Sequence, residues 1–362
     1  MLRMGISVVV LLHLAFGSTS RLQAVQPNAN VVFSSSAENP EELGKVRWHR
    51  GFESAAVKAK LEDRPLLVLF QEVPGCSTCV NYGSNVLSHP LIVEAVESLF
   101  IPVCIYNNIK GDDERTLKLF SEPAWNNPVV RIMTAEKKPL TERVANDYTL
   151  AGLAAAMCAA IEKLERPVPE YLRLLAWEES ARKSGLEKAT FAMHCFWEGE
   201  GALGSLEGVV GTLPGFVDGL EVVEVAFDPE RLPFQKLLGK AHEHKCASKV
   251  FARSEKQLRE ARKVVNEKAI RTDEPVRPDK EPKYYLLQTP YRHVPMTSLQ
   301  ACRVNAALGG KQGPDLFLSP RQIALLGLIK ARPDAGWPTA IGAEFPAAWT
   351  KATEIATKSS AR

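Results

Sequence analysis

From position 45 to 165 the spacing of apolar residues alternates between two periods. Residues 48–61 carry Phe52, Ala55, Ala56, Val57 and Leu61 at helical spacing. Pro65 then opens Leu66-Leu67-Val68-Leu69-Phe70, an unbroken apolar run of the kind a strand covered on both faces needs. Helices are expected from about Cys79 and over 89–99, 112–120 and 149–164, and strands over 100–106 and 129–133, with a turn at Glu136-Lys137-Lys138. Strands alternating with helices predict an α/β sheet. A helix over 170–183 reads as a linker. A second pattern follows: a strand over 189–195, a helix over 197–206, strands over 209–216 and 220–227, and a helix over 234–243. That β-α-β-β-α order predicts a split, ferredoxin-like α+β sheet.

Beyond it the pattern weakens. A charged helix is expected over 255–268, and 271–283, with three prolines and many charges, reads as a flexible loop. Residues 284–288 are expected to be a strand completing the second sheet. Residues 298–308 read as a helix stopped by Gly309-Gly310, and Ser319-Pro320 as the capped start of another. The organisation expected is therefore a signal peptide (1–24), a polar tether (25–44), a first domain (45–166), a linker helix (167–187), a second domain (188–290) and a C-terminal helical extension (291–362).

The signal peptide rests on Arg3, the apolar run 5–16 broken only by Ser7 and His13, and Ala15-Phe16-Gly17 at a cleavage position; Ala24 offers a later one. The run is shorter than the roughly 20 residues of a membrane span. An exported chain, periplasmic or secreted, with no transmembrane span after cleavage, is expected. Of 362 residues, 45% are hydrophobic and 24% charged, with a net charge of +3 and no basic block, so nucleic acid is not an expected partner.

Seven cysteines at irregular spacing exclude a disulfide-stapled miniprotein and favour redox use of some of them. Pro74-Gly75-Cys76-Ser77-Thr78-Cys79 lies between a buried strand and a helix. A helix N-terminus favours thiolate over thiol, and two intervening residues let the second sulfur resolve a mixed disulfide on the first. One such pair without a second at zinc spacing gives no expectation of a metal centre. His194-Cys195-Phe196-Trp197-Glu198 repeats the strand-to-helix placement, with two aromatics beside the thiol. Cys246, after a helix bearing His242 and His244, and Cys302 are candidate partners for Cys195. Histidines two apart do not share a helix face. Cys104 and Cys158 read as packing residues.

The first segment resembles the thioredoxin-like superfamily over about 45–165: the Trp48 helix, the apolar strand, the Cys-x-x-Cys turn and Pro128 occur in order. The resemblance implies a redox-active Cys76/Cys79 pair and a cis proline at Pro128 facing it. Cys-Ser-Thr-Cys stands where Cys-Gly-Pro-Cys is common. The second segment resembles the A-type peptide methionine sulfoxide reductases, whose signature is Gly-Cys-Phe-Trp-Gly. Gly208-Val209-Val210 with Gly215-Phe216, and Glu221-Val222-Val223-Glu224-Val225 with Asp228-Pro229, extend the similarity over about 188–265. It implies Cys195 as nucleophile, Glu221 as acid, and Phe196, Trp197 and Phe216 around the substrate methyl group. His194 and Glu198 replace the signature glycines. The function implied is thiol-dependent reduction of methionine sulfoxide in exported proteins or peptides. The Cys76/Cys79 pair would recycle Cys195, an upstream thiol reductant would recharge that pair, and no cofactor is expected beyond this relay. The alternative is a thiol-disulfide oxidoreductase whose second domain is a degenerate binding module.

Overall fold

The computed structural model describes residues 38–126 and 128–358. The expected signal peptide, most of the tether and Asn127 lie outside the described residues. The described residues form a mixed α/β structure with two separate sheets.

Helix α1 (Phe52–Glu62), strand β1 (Leu66–Gln71), helices α2 (Ser77–Asn85) and α3 (Pro90–Leu99), strand β2 (Ile101–Tyr106), helix α4 (Asp112–Leu119), strand β3 (Val129–Met133) and helix α5 (Leu150–Lys163) build the first unit. The sheet order is β2-β1-β3, with β2 parallel and β3 antiparallel to β1. Bridges from His49 to Val103 and from Val144 to Val130 extend it at both edges. The apolar run of β1 serves both faces, because successive side chains alternate. Leu66, Val68 and Phe70 pack with Phe52, Ala55 and Leu117. Leu67 and Leu69 pack with residues of α2, α3 and α5 such as Tyr82, Leu91 and Leu153. Cys104 belongs to the same core as Leu67, and Cys158 packs against it.

The tether ends earlier than expected. Residues Glu41–Leu43 form a 3₁₀ turn, Leu43 and Val46 are core, and the Trp48 indole donates to the Leu43 carbonyl at 2.9 Å. Gly44, at φ +58°, has the Gly83 carbonyl 2.6 Å from where a Cβ would sit, so this contact requires glycine.

Helix α6 (Glu170–Ser184) is not a free linker. Leu172 and Leu175 enter the first unit's core, while Leu174, Trp177 and Ala181 pack with Val210 and Leu299 of later elements. Its buried Glu178 carboxylate accepts from the Leu299 backbone N–H at 3.2 Å.

The second unit runs β4 (Glu187–Ala192), α7 (Phe196–Gly204), β5 (Val209–Val217), β6 (Leu220–Phe227), α8 (Phe234–Glu243), β7 (Lys249–Ala252), α9 (Glu255–Val265), β8 (Ala269–Arg271) and β9 (Arg277–Pro278). The sheet order is β8-β7-β4-β6-β5-β9, antiparallel except for β7 with β8. Phe191, Val223, Val225 and Phe227 form its core with Leu237, Leu238 and Ala261 of α8 and α9. Strand β7 was too short to be read from periodicity. The expected flexible loop 271–283 contains β9, which pairs with β5, and ends at a buried lysine.

Residues Tyr284–Leu287 form helix α10, not the expected strand. Lys283, in a left-handed conformation (φ +57°), is the residue from which the helix starts. Helices α11 (Ser298–Gly309) and α12 (Pro320–Ala331) each begin with a capping box, and α13 (Phe345–Lys358) follows. They have a core of their own around Leu325, Leu326 and Trp337. They also bind both units. The Arg303 guanidinium donates to the Leu206 and Val209 carbonyls at 2.9 and 3.2 Å. Arg321 donates its backbone N–H to Glu94 at 2.8 Å and its guanidinium to Glu97 at 2.6 Å. Among the described residues no helix is long and apolar enough to cross a membrane.

Candidate functional site

The chain forms two thiol sites, each at the start of a helix that follows a buried strand. In the first, Cys76 is the N-cap of α2 and exposed, and Cys79 is buried in its first turn. The sulfurs lie 3.7 Å apart within hydrogen-bonding contact. The Cys79 backbone N–H holds the Cys76 thiol below its ordinary pKa, aided by the Cys79 thiol and Thr78. Burial pushes Cys79 up to about 11, and its hydrogen bond to Cys76 and the Cys76 charge push the same way. The pair is thus divided into an accessible, more acidic sulfur and a buried, protonated one.

The turn is held from behind. Gly75 donates its N–H to the buried Glu42 carboxylate at 2.7 Å, and the Gln71 amide donates to the Glu42 and Cys79 carbonyls at 2.8 and 3.3 Å. Val73-Pro74 is a cis bond. The cis bond expected at Pro128 involves Asn127 and so lies outside the described residues. The Glu72 carboxylate and both sulfurs all lie within 4.8 Å of one another, a neighbour that the cysteine spacing gave no reason to expect.

In the second site Cys195 is the half-buried N-cap of α7. Glu221 stands directly across the β5–β6 hairpin from Phe216. Its Oε2 accepts the Phe196 backbone N–H at 3.0 Å, which fixes a carboxylate at the helix N-terminus adjoining the thiol. Phe196 meets Phe216 edge-on at 5.3 Å and Trp197 at 5.6 Å. Phe196 is nearly all core, while Trp197 and Phe216 are half-buried.

The surroundings include residues that sequence reasoning missed. Tyr284 stacks on Trp197 at 4.1 Å, Asp279 accepts the Trp197 indole N–H at 3.3 Å, and the Arg277 guanidinium lies 4.5 Å from the Phe216 ring centre. Burial raises the Tyr285 hydroxyl pKa, as do the charges of Glu198, Cys195 and Tyr284. These residues sit in the segment read as a loop and then a strand, so the only signal was the adjacent tyrosine pair. Beneath them, Lys283 Nζ donates to Glu200 of α7 at 2.6 Å and to the Thr212 carbonyl at 2.7 Å.

The structure separates the two expected partners of Cys195. Cys246 is buried and faces the first turn of α7, since a Cβ on Gly199 would lie 3.4 Å from its sulfur. Burial raises its thiol to about 11, and the charges of Glu198 and Cys195 add to this. Cys302 is at the other end of α7. It packs at Gly204 and its sulfur contacts the Thr212 hydroxyl at 3.4 Å. Of the two candidates, Cys246 is the one that the structure places beside the first turn of α7, next to Cys195.

No protein-family model matches the chain. Part of it is similar to proteins named peptide methionine sulfoxide reductase MsrA. The Vibrio cholerae protein is 36% identical over 16% of this chain and 36% of its own length. The Methanosarcina mazei protein is 39% identical over 15% and 34%, and the Geobacter sulfurreducens protein 38% identical over 15% and 44%. The chain thus spans less than half the length of these relatives.

Proposed function

We propose that this protein reduces methionine sulfoxide in peptides at Cys195, and that a thioredoxin-like unit carrying Cys76 and Cys79 recycles that cysteine. The observation that carries the reading is the Cys195 thiol at the start of α7 with the Glu221 carboxylate anchored to the same helix end, in a protein partly similar to MsrA. The thioredoxin-like reading is supported by the order β2-β1-β3 with its edge bridges, and by a split Cys-x-x-Cys pair between β1 and α2. The N-terminal apolar run supports work on exported proteins outside the cytoplasm.

The Cys195 thiolate attacks the sulfoxide sulfur while Glu221, in its protonated form, gives its proton to the sulfoxide oxygen. The Phe196 N–H occupies Oε2, which leaves Oε1 to carry that proton. A bond forms between Cys195 Sγ and the substrate sulfur as the S–O bond breaks, and the protonated oxygen takes a second proton and leaves as water. Water then attacks Cys195 Sγ, the S–S bond to the substrate breaks, the substrate leaves as a thioether, a proton is released, and Cys195 is left as a sulfenic acid. Attack by the Cys246 thiol expels water and forms a Cys195–Cys246 disulfide. Cys76 then attacks this disulfide and Cys79 displaces the mixed disulfide, so two electrons pass to the second unit and an outside thiol reductant restores the first.

The test is reduction of a methionine sulfoxide peptide by the full chain with dithiothreitol as electron source. Wild type should yield methionine, Cys195→Ser none, and Glu221→Gln a rate lower by roughly 10²–10⁴-fold. Full activity in Cys195→Ser, or none in wild type, overturns the reading.

A further inference from the structure

The first thiol site has a third donor that the redox reading does not use. Glu72 follows directly after β1, and its carboxylate joins the Cys76 and Cys79 sulfurs in a group whose atoms all lie within 4.8 Å of one another. We propose that Glu72, Cys76 and Cys79 form a binding site for a borderline-soft divalent cation, Zn²⁺ in chemical class, that holds the reduced dithiol and masks it from oxidants.

The geometry fits the ion. Tetrahedral zinc with Zn–S bonds of about 2.3 Å needs its two sulfurs about 3.8 Å apart, and a carboxylate oxygen about 3.5 Å from each. The sulfurs here are 3.7 Å apart, so both thiolates bind without rearrangement of α2. Glu72 is only half-buried, and rotation about its side-chain bonds covers the shift of about 1 Å that its oxygen needs. The backbone that carries the donors is tightly held. A Cβ on Gly75 would lie 2.4 Å from the Glu72 carbonyl and 2.7 Å from the Cys79 Cβ. The buried Glu42 carboxylate, fixed by the Gly75 N–H at 2.7 Å, adds negative charge behind the site.

The donor set also selects the metal. Two thiolates alone suit Cu(I), whereas a carboxylate as third donor favours Zn²⁺. Cys76 is exposed, so the fourth position opens to water, as in exchangeable rather than closed structural zinc sites. Binding releases the thiol protons and is lost when the pair becomes a disulfide. The site itself does not depend on sulfoxide chemistry. Only its consequence, that zinc withholds electrons from Cys195, rests on the function proposed above.

The experiment titrates the reduced full chain with Zn²⁺ against a chromophoric chelator, and with Co²⁺ to read thiolate coordination in the absorption spectrum. Expected are one ion per chain, none after oxidation to the disulfide or in Cys79→Ser, and affinity lower by about tenfold or more in Glu72→Gln. Zinc should also protect Cys76 from alkylation, with protection removed by a chelator. Unchanged affinity in Glu72→Gln, or equal binding by reduced and oxidised protein, overturns the proposal. Neither readout requires turnover of a sulfoxide, so failure here is distinguishable from failure of the reductase reading.

Discussion

Replacing Lys283 by Met tests whether a buried ion pair supports the Cys195 site. The Lys283 and Glu200 side chains are 10% and 0% exposed. Lys283 Nζ reaches Glu200 Oε1 at 2.6 Å, the Thr212 carbonyl at 2.7 Å and the Thr212 hydroxyl at 3.0 Å, while the Lys283 backbone N–H donates to Glu200 Oε2 at 2.8 Å. Methionine fills a similar volume but supplies no charge. Glu200 would keep only the Lys283 N–H and the Thr212 hydroxyl, at 3.2 Å, as donors for a buried carboxylate. Stranding one member of a buried pair costs about 3–5 kcal/mol. In Glu200→Gln/Lys283→Met the amide oxygen accepts the backbone N–H and its NH₂ reaches Thr212, so more than half of that loss should return.

The assay is urea unfolding followed by tryptophan fluorescence, with the midpoint compared at unchanged slope. Burial pulls the Lys283 ammonium toward neutrality, but the charges of Cys302 and Glu200 outweigh it and raise its pKa above the lysine value. A raised folded pKa gives stability that is complete below the unfolded value and is lost only as pH rises through the folded one. The loss in Lys283→Met should therefore not diminish as pH rises from about 8 to about 9. A single-variant loss below about 1 kcal/mol, or a double variant no more stable than the single, would refute the reasoning.

Two further outcomes follow. Alkylation at graded pH should label Cys76 first, because its pKa is lowered by the Cys79 N–H while that of Cys79 is pushed by burial to about 11; peptide mass spectrometry that finds one midpoint for both would contradict the division of roles. His89 is buried against Phe345, and burial drives its imidazole down to about 4. The unfolded chain takes up a proton near pH 6.5 that the folded chain refuses, so about 3 kcal/mol of stability should vanish as pH falls from about 6.5 to about 4. His89→Leu should flatten that part of the urea-midpoint profile, and an unchanged slope would show that other groups cause it.

The sequence was most legible where one residue pattern had one physical solution. The continuous apolar run of β1 requires cover on both faces, and Leu66 to Phe70 receive it from two separate cores. Cys76 and Cys195 were found because a strand-to-helix turn is a local feature, and both are N-caps. Glu221 was placed by resemblance, and its link to the Phe196 N–H gives it a position at the helix end. What was illegible depends on distant chain. Tyr284 has no local reason to be helical. The helix starts after a left-handed Lys283, whose backbone N–H is held by a carboxylate 83 residues earlier. Glu72 is silent for the same reason, since only the folded turn brings it to the sulfurs.

The same non-local contacts decide how the two thiol sites can communicate. Fusing two modules raises their effective concentration only if the geometry lets them meet. The sequence suggested a linker helix between the two units, across which the first could reach the second. Instead α6 has apolar residues in two cores, Glu178 caps α11 through the Leu299 N–H, and Arg321 of α12 is held by Glu94 and Glu97 of α3. Swinging one unit about the other would expose either Leu172 and Leu175 or Leu174 and Trp177, according to which unit keeps α6, and break buried polar contacts at the same time. Each buried leucine alone contributes about 1.5–3 kcal/mol, so such an excursion is rarely populated. On the relay proposed above, electron transfer between Cys76 and a Cys195–Cys246 disulfide would therefore proceed either within this fixed arrangement or between two molecules. In Cys79→Ser, which leaves Cys76 unable to release its partner, the trapped mixed disulfide separates the cases: it runs as one chain in the first and as two in the second.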